Sequence, residues 1–167
     1  MNPERLALET DWGTVEILLR GERVAACHLP PVGEPPPAPA PRIQFLPEHP
    51  AARFAADLLE GRRPKELPPL FPPPGTPFQR RVWTALSRIP YGEVWTYGRL
   101  AREIDRPKAV RAVAAACGKN PLPLFLPCHR VVSANGLGGF TPGLPWKRHL
   151  LAIEARASGR PFPPPPA

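Results

Sequence analysis

Polar and apolar residues alternate in three short stretches near the start of the chain, Arg5 to Glu9, Thr14 to Arg20 and Arg23 to Leu29, with Val15, Ile17 and Leu19 the clearest run. A period of two puts every second side chain on one face of a strand, and Asp11-Trp12-Gly13 and Gly21-Glu22 supply the turns between them. The pattern therefore predicts an antiparallel meander. Pro30 to Pro41 contains seven prolines, whose missing amide hydrogens exclude a central strand or a helix, so an extended loop is expected there. A helical spacing follows from about Pro50 to Glu60, burying Phe54 and Leu58 and stopped by Gly61.

A second proline-rich run, Pro68 to Pro77, marks a change of both composition and charge, and it sets the expected division into residues 1–72, 73–158 and a proline-rich tail, 159–167. Beyond it Thr76 caps a helix with Pro77 at its first position and Phe78, Val82, Trp83 and Leu86 as the apolar stripe, ended by Pro90-Tyr91-Gly92. Two shorter helices are predicted over Thr96 to Ile104 and Pro107 to Gly118. Their tight Asp105-Arg106 junction in a basic segment suits a helix-turn-helix and an ordinary helical hairpin equally well. The second of them is rich in alanine, with Arg111 the one long basic side chain inside the run. Asn120-Pro121 stops it, Leu122 to Leu126 reads as an extended apolar segment, and Asn135-Gly136 reads as a turn. Gly138 to Gly143 is a Gly/Pro-rich loop able to bring backbone amides close to a bound group. A last helix runs from Trp146 to about Arg156, with Leu150 and Ile153 inward and Glu154 beside them. The tail from Arg160 to Ala167 is expected to be disordered or polyproline-like.

The net charge of +8 is distributed unevenly: residues 1–72 hold 8 Lys/Arg against 10 Asp/Glu, whereas residues 73–167 hold 14 against 4. The second half is thus a candidate surface for a polyanion, and only four of the 22 basic residues are lysine. Arginine's planar fork suits phosphates and base edges better than a point charge does. No apolar run approaches the ~18 residues of a membrane helix, and no signal-peptide pattern opens the chain, so no membrane and a cytoplasmic location are expected. Cys27, Cys117 and Cys128 are too widely spaced for a disulfide framework or a metal knuckle, so they are read as reduced thiols. Cys27-His28 finds no partner pair at finger spacing and is read as part of a buried strand.

Chemistry concentrates at Pro127-Cys128-His129-Arg130-Val131-Val132. A thiol reacts only as thiolate and is mostly protonated at neutral pH unless a base or a positive field favours ionisation. Cys128 has a candidate base, His129, next to it, and Glu154 on the last helix could orient that imidazole. On these three residues alone, a group-accepting cysteine, a Cys-His-Glu hydrolase and a redox thiol all remain open.

The surrounding motifs are more specific. Phe78-Gln79-x-x-Val82-Trp83, Pro90-Tyr91-Gly92-Glu93-Val94, Thr96-Tyr97, Arg111-Ala112-Val113, Gly118-x-Asn120-Pro121, Pro127 to Val132 and the Gly138 to Gly143 loop stand in order over residues 76 to 158. In this order and spacing they resemble the O6-alkylguanine-DNA alkyltransferases. The resemblance implies an α/β fold: a small ribonuclease-H-like N-terminal domain, with an antiparallel sheet plus helix, followed by a mostly helical domain with a helix-turn-helix. It implies single-turnover methylated-DNA–protein-cysteine S-methyltransferase activity, repairing O6-alkylguanine and possibly O4-methylthymine, without a cofactor. It implies catalytic roles for Cys128 as acceptor, His129 as base through a water, Glu154 as the residue that sets the histidine tautomer, Asn120 as a brace and Tyr97 as hydrogen-bond donor to the departing base. It implies further that Arg111, Ala112, Arg106, Thr96, Tyr97, Arg130 and Thr141 meet DNA, that a monomer binds double-stranded DNA through the minor groove, and that the damaged nucleotide is flipped out while Arg111 fills its place. The cysteine and histidine set that binds zinc in some members is missing, so no metal is expected. Phe140 and Pro142 depart from the usual tyrosine and glycine of the loop. A binding module that recruits other factors, with Cys128 idle, is the alternative, and a helix-turn-helix regulator is a weaker one.

Overall fold

The computed structural model describes residues 2–162, so the end of the expected tail, residues 163–167, lies outside the described residues. The meander forms as predicted: β1 (Glu4–Thr10), β2 (Gly13–Arg20) and β3 (Arg23–His28) pair antiparallel. A short strand missed in the sequence, β4 (Ile43–Phe45), joins the far side of β1 and gives the order β3-β2-β1-β4. Three residues carry too little periodicity to be read as a strand. Leu6 and Leu8, then Val15, Ile17 and Leu19, turn inward at every second position. In β3 the alternation slips, because Leu19 pairs with Val24 but Leu18 pairs with Ala26. The extra residue, Ala25, is a bulge that rotates the rest of the strand, so Val24 and Cys27 both face the core although they are three apart.

Helix α1 (Pro50–Glu60) has the expected bounds and ends at Gly61 in a left-handed conformation, φ 76°. Phe54 is only half-buried, since its ring stacks on Phe125 at 5.0 Å at the edge of the core. Helix α2 (Pro77–Leu86) starts with a reciprocal capping box between Thr76 and Gln79 and finishes at Leu86, one turn before Pro90. Its Trp83 indole donates to the Ala116 carbonyl at 2.8 Å, pinning the helix that follows three elements later.

Strand β5 (Trp95–Thr96) takes the first residue expected in a helix and pairs in parallel with β6 (Val131–Val132). Helix α3 (Tyr97–Glu103) is capped by the Thr96 hydroxyl, and helix α4 (Val110–Gly118) begins three residues later than Pro107. Leu122 to Leu126 is not extended: it is a buried turn in which the Leu126 amide donates to the Leu122 carbonyl at 2.8 Å and Leu124 takes φ 75°. Asn120 imposes it, accepting from the Leu122 amide at 2.9 Å and donating to the Leu126 carbonyl at 2.7 Å. Cys128–Arg130 form one 3-10 turn, and helix α5 (Leu144–Ala157) closes the fold with Leu150 buried and Ile153 half-buried.

The two halves share one continuous cluster of buried side chains running from Leu8 and Trp12 to Trp146 and Leu150. Trp12 and Trp146 meet edge to face with ring centroids 4.9 Å apart, and the Trp146 indole donates to the Pro30 carbonyl at 2.8 Å. The proline-rich loop is therefore clasped between sheet and α5, which places it beside the cysteine-bearing turn. No helix among the described residues is long and apolar enough to cross a membrane.

Candidate active site

The 3-10 turn places Cys128, His129 and Arg130 one after another in the interior, all buried. Glu154, 1% exposed on α5, receives the imidazole at 2.8 Å (His129 Nε2 to Oε1), the Arg130 Nε–H at 2.9 Å and its Nη2–H at 3.0 Å. These positive and polar partners pull its carboxyl down to about 2, against the effect of burial. An ionised carboxylate only accepts, so the His129 proton sits on Nε2 and the lone pair is on Nδ1. That Nδ1 is buried and has no protein partner among the described residues. Burial also lowers the imidazole's affinity for a proton, which favours its neutral form.

Arg130, expected on DNA, is reassigned by its surroundings. It is 8% exposed, spends its guanidinium on Glu154 and on the Ile89 carbonyl at 3.0 Å, and lies 5.4 Å from the centre of the Tyr91 ring. Removing it would leave a buried carboxylate short of two charge-assisted hydrogen bonds.

Cys128 lines a cavity of about 420 Å³ together with Tyr97, Asn120, Cys117, Phe140 and Thr141. Burial raises its thiol pKa above the ordinary value, while the Asn120 amide and the Lys147 ammonium oppose that rise. Lys147 is the functional candidate that sequence reading missed. It is fully buried, donates from Nζ to the carbonyls of Val131 at 2.7 Å and Gly139 at 2.9 Å, and is pushed down to about 8 by burial. Its place one residue after Trp146, on the inward face of the last helix, was the available signal. The Tyr97 hydroxyl, raised to about 12 chiefly by burial, remains a proton donor at neutral pH. Its ring packs so closely on Gly138 that a Cβ there would come within 2.9 Å of it. The Thr141 hydroxyl donates to the Gly118 carbonyl at 2.9 Å, tying the glycine loop to the end of α4.

The other predicted contact residues lie outside the cavity. Arg106, Arg111 and Ala112 are exposed, as is Ala115, so α4 turns these side chains to the surface while Ala116 is buried towards α2. Thr96 is half-buried and uses its hydroxyl on the Arg99 amide at 3.0 Å. No cluster of His, Cys, Asp or Glu suited to a metal occurs among the described residues. Cys27, His28, Leu29 and Pro31 also line the cavity, a contribution of the first half that the sequence reading did not assign.

The protein is thus of mixed α/β class, with a buried cysteine at a cavity and, next to it in sequence, an imidazole oriented by a carboxylate. Residues 77–156 match the family profile described as 6-O-methylguanine DNA methyltransferase, DNA binding domain. The chain is 54% identical over 82 residues to a probable methylated-DNA–protein-cysteine methyltransferase of Acanthamoeba polyphaga mimivirus, covering 49% of this chain and 55% of that protein. It is 48% identical over 101 residues to the inducible methylated-DNA–protein-cysteine methyltransferase of Bacillus subtilis, covering 60% and 56%. The chain thus spans about half the length of the curated relatives it matches. The Mycobacterium tuberculosis OGT in complex with DNA superposes with a TM-score of 0.74 at 31% identity, over 93% of this chain and 94% of that one. The chain belongs to the O6-methylguanine DNA methyltransferase family.

Two measurements check the electrostatics. The depressed Glu154 contributes stability that is complete above its ordinary value of 4.5 and disappears as pH falls towards 2. Urea unfolding across that window should show a steep loss for the unaltered chain and a shallower one for Glu154→Gln. Replacing the cation, Lys147→Met, should raise the Cys128 pKa, so iodoacetamide labelling of Cys128 at neutral pH slows several-fold and the midpoint of its pH profile moves upward.

Proposed function

We propose that this protein repairs O6-alkylguanine in DNA by moving the alkyl group onto Cys128, one molecule consumed per lesion. The observation that carries the reading is the buried series Glu154, His129 and Cys128 at a cavity whose other wall holds a protonated tyrosine. His129 Nδ1 takes the thiol proton, through a water between them. The sulfur forms a bond to the alkyl carbon as the bond from that carbon to O6 breaks, and guanine leaves with a proton supplied on the Tyr97 side. The product is a thioether, which water does not cleave. Lys147 stabilises the thiolate during the displacement, and Asn120 holds the turn that presents it. O4-methylthymine fits the same displacement. No step calls for a metal or a cofactor.

The fold reading completes this. Residues 1–72 form a ribonuclease-H-like domain, residues 73–158 carry DNA binding and the alkyl acceptor, and α3 and α4 act as a helix-turn-helix. The exposed alanine face of α4, with Arg111 and Ala112 uncovered and Arg106 before it, enters the minor groove as a monomer binds. A base inside a duplex is out of reach of a buried thiol, so the nucleotide is flipped into the cavity and Arg111 occupies the gap. Tyr97, Thr96 and Thr141 line the route by which the base enters. The family relationship and the DNA-bound mycobacterial structure support DNA as partner.

Intact-mass spectrometry after incubation with methylated duplex should show one added methyl on the Cys128 peptide, and none in Cys128→Ala, which still binds the lesion. Lesion binding by the unaltered chain with no mass change would favour the recruiting module instead. Arg111→Ala should lose several-fold or more of the rate on duplex but little on free O6-benzylguanine, because unstacking costs a few kcal/mol only where there is a stack to open. Equal losses on both would assign Arg111 to the fold.

A further inference from the structure

The first half of the chain contributes more than support, because the segment from Cys27 to Val32 crosses the cavity as a strap and is fastened at both rims. At one end the Cys27 amide donates to the Pro121 carbonyl at 3.0 Å, just after α4 and next to Asn120. At the other the Val32 amide donates to the Pro142 carbonyl at 2.8 Å, inside the glycine loop. Gly143 abuts the Val32 carbonyl so closely that any Cβ there would collide with it, and the Trp146 indole holds the Pro30 carbonyl between the two attachments. The two lips of the cavity, the exit of α4 and the glycine loop, are thus held at a fixed separation by a piece of chain from the other half.

The same strap supplies a wall. The bulge at Ala25 turns Cys27 inward instead of Ala26, and Cys27, His28, Leu29 and Pro31 then line the cavity together with Phe140. Cys27 lies near enough to Cys128 for a thiolate on one to disfavour a thiolate on the other. A group carried on O6 and aimed at Cys128 therefore extends into a space bounded by the strap. Leu29 is buried in that wall and His28 stands exposed at its outer edge.

From this geometry we propose that the Cys27–Val32 strap is the specificity-determining element for the size of the transferred alkyl group, with Leu29 and His28 as the deciding side chains. The proposal rests on the alkyl-transfer reading and adds to it. Residues 77–156, which match the family profile, hold the displacement machinery, whereas the strap lies outside them. Chemistry shared with relatives and adduct preference particular to this chain are then set by different parts of the molecule. Packing supplies the reason: a cavity wall in close contact with a ligand discriminates by methylene-sized steps, each worth roughly tenfold or more in rate.

The test uses the full chain in single-turnover reactions with duplexes carrying O6-methyl-, O6-butyl- and O6-benzylguanine. Leu29→Ala should raise the large-to-methyl rate ratio several-fold, and His28→Trp, at an exposed position that tolerates a larger ring, should lower it by about tenfold. Thermal unfolding of His28→Trp close to that of the unaltered chain separates the effect from misfolding. Ratios unchanged in both variants, or equal losses on every adduct, would overturn the strap as the selecting wall. If the unaltered chain transferred no methyl group at all, the alkyl-transfer reading would fail first, and the two failures are thereby distinct.

Discussion

A carboxylate taken out of water has to be matched by donors, and Glu154 is the group around which this molecule satisfies that requirement. Its three hydrogen bonds come from His129 and Arg130, two consecutive residues of one 3-10 turn. Removing Arg130 would leave the carboxylate's charge uncompensated in a low-dielectric interior, which costs several kcal/mol. The turn is therefore rigid, and Cys128, the residue before the pair, inherits that rigidity. The same carboxylate chooses the histidine tautomer, so one buried ion both anchors the backbone and fixes which ring nitrogen keeps its lone pair. Arg130 extends the constraint outward, since its donation to Ile89 couples the turn to the segment leaving α2.

The thiol is held between opposing influences. Burial favours the neutral form, and the Asn120 amide with the buried Lys147 ammonium favours the anion. Lys147 itself resists charge, being lowered to about 8 by the same apolar surroundings. On balance burial prevails, and the sulfur is held as a thiol. Two carbonyls, Val131 in strand β6 and Gly139 in the glycine loop, keep the ammonium from moving away, so the cation also joins loop to strand.

Sheet and helices are less separable than the change of composition near residue 72 suggests. The core is continuous across it, and two tryptophans stacked edge to face lie where the halves meet. A bulge of one residue in β3 decides which side chains of the first half face the cavity. Such a device is inexpensive in sequence, a single extra alanine, and large in consequence, because the side-chain period of a strand is two and one insertion reverses the faces beyond it.

Local periodicity and capping were enough to place the meander, α1, the start of α2 and the last helix, because those signals are written in side chains within a few residues of one another. The order of motifs around Cys128 was equally legible, and it named the cysteine, the histidine and the glutamate that the fold brings together. Other features needed the folded molecule. Leu122 to Leu126 looks like a strand until the side chain of Asn120, two residues before it, closes it into a turn. Arg130 looks like a surface arginine until Glu154, 24 residues on, draws it inside. Lys147 looks like a solvated helix residue, and Cys27 to Pro31 like the end of an ordinary strand. Asn120 is close in sequence, but its effect is a side-chain hydrogen bond that periodicity does not register. For Arg130, Lys147 and Cys27 to Pro31 the deciding partner is farther away along the chain and near in space. Charge, burial and hydrogen bonding are properties of that proximity, and a linear pattern does not contain it.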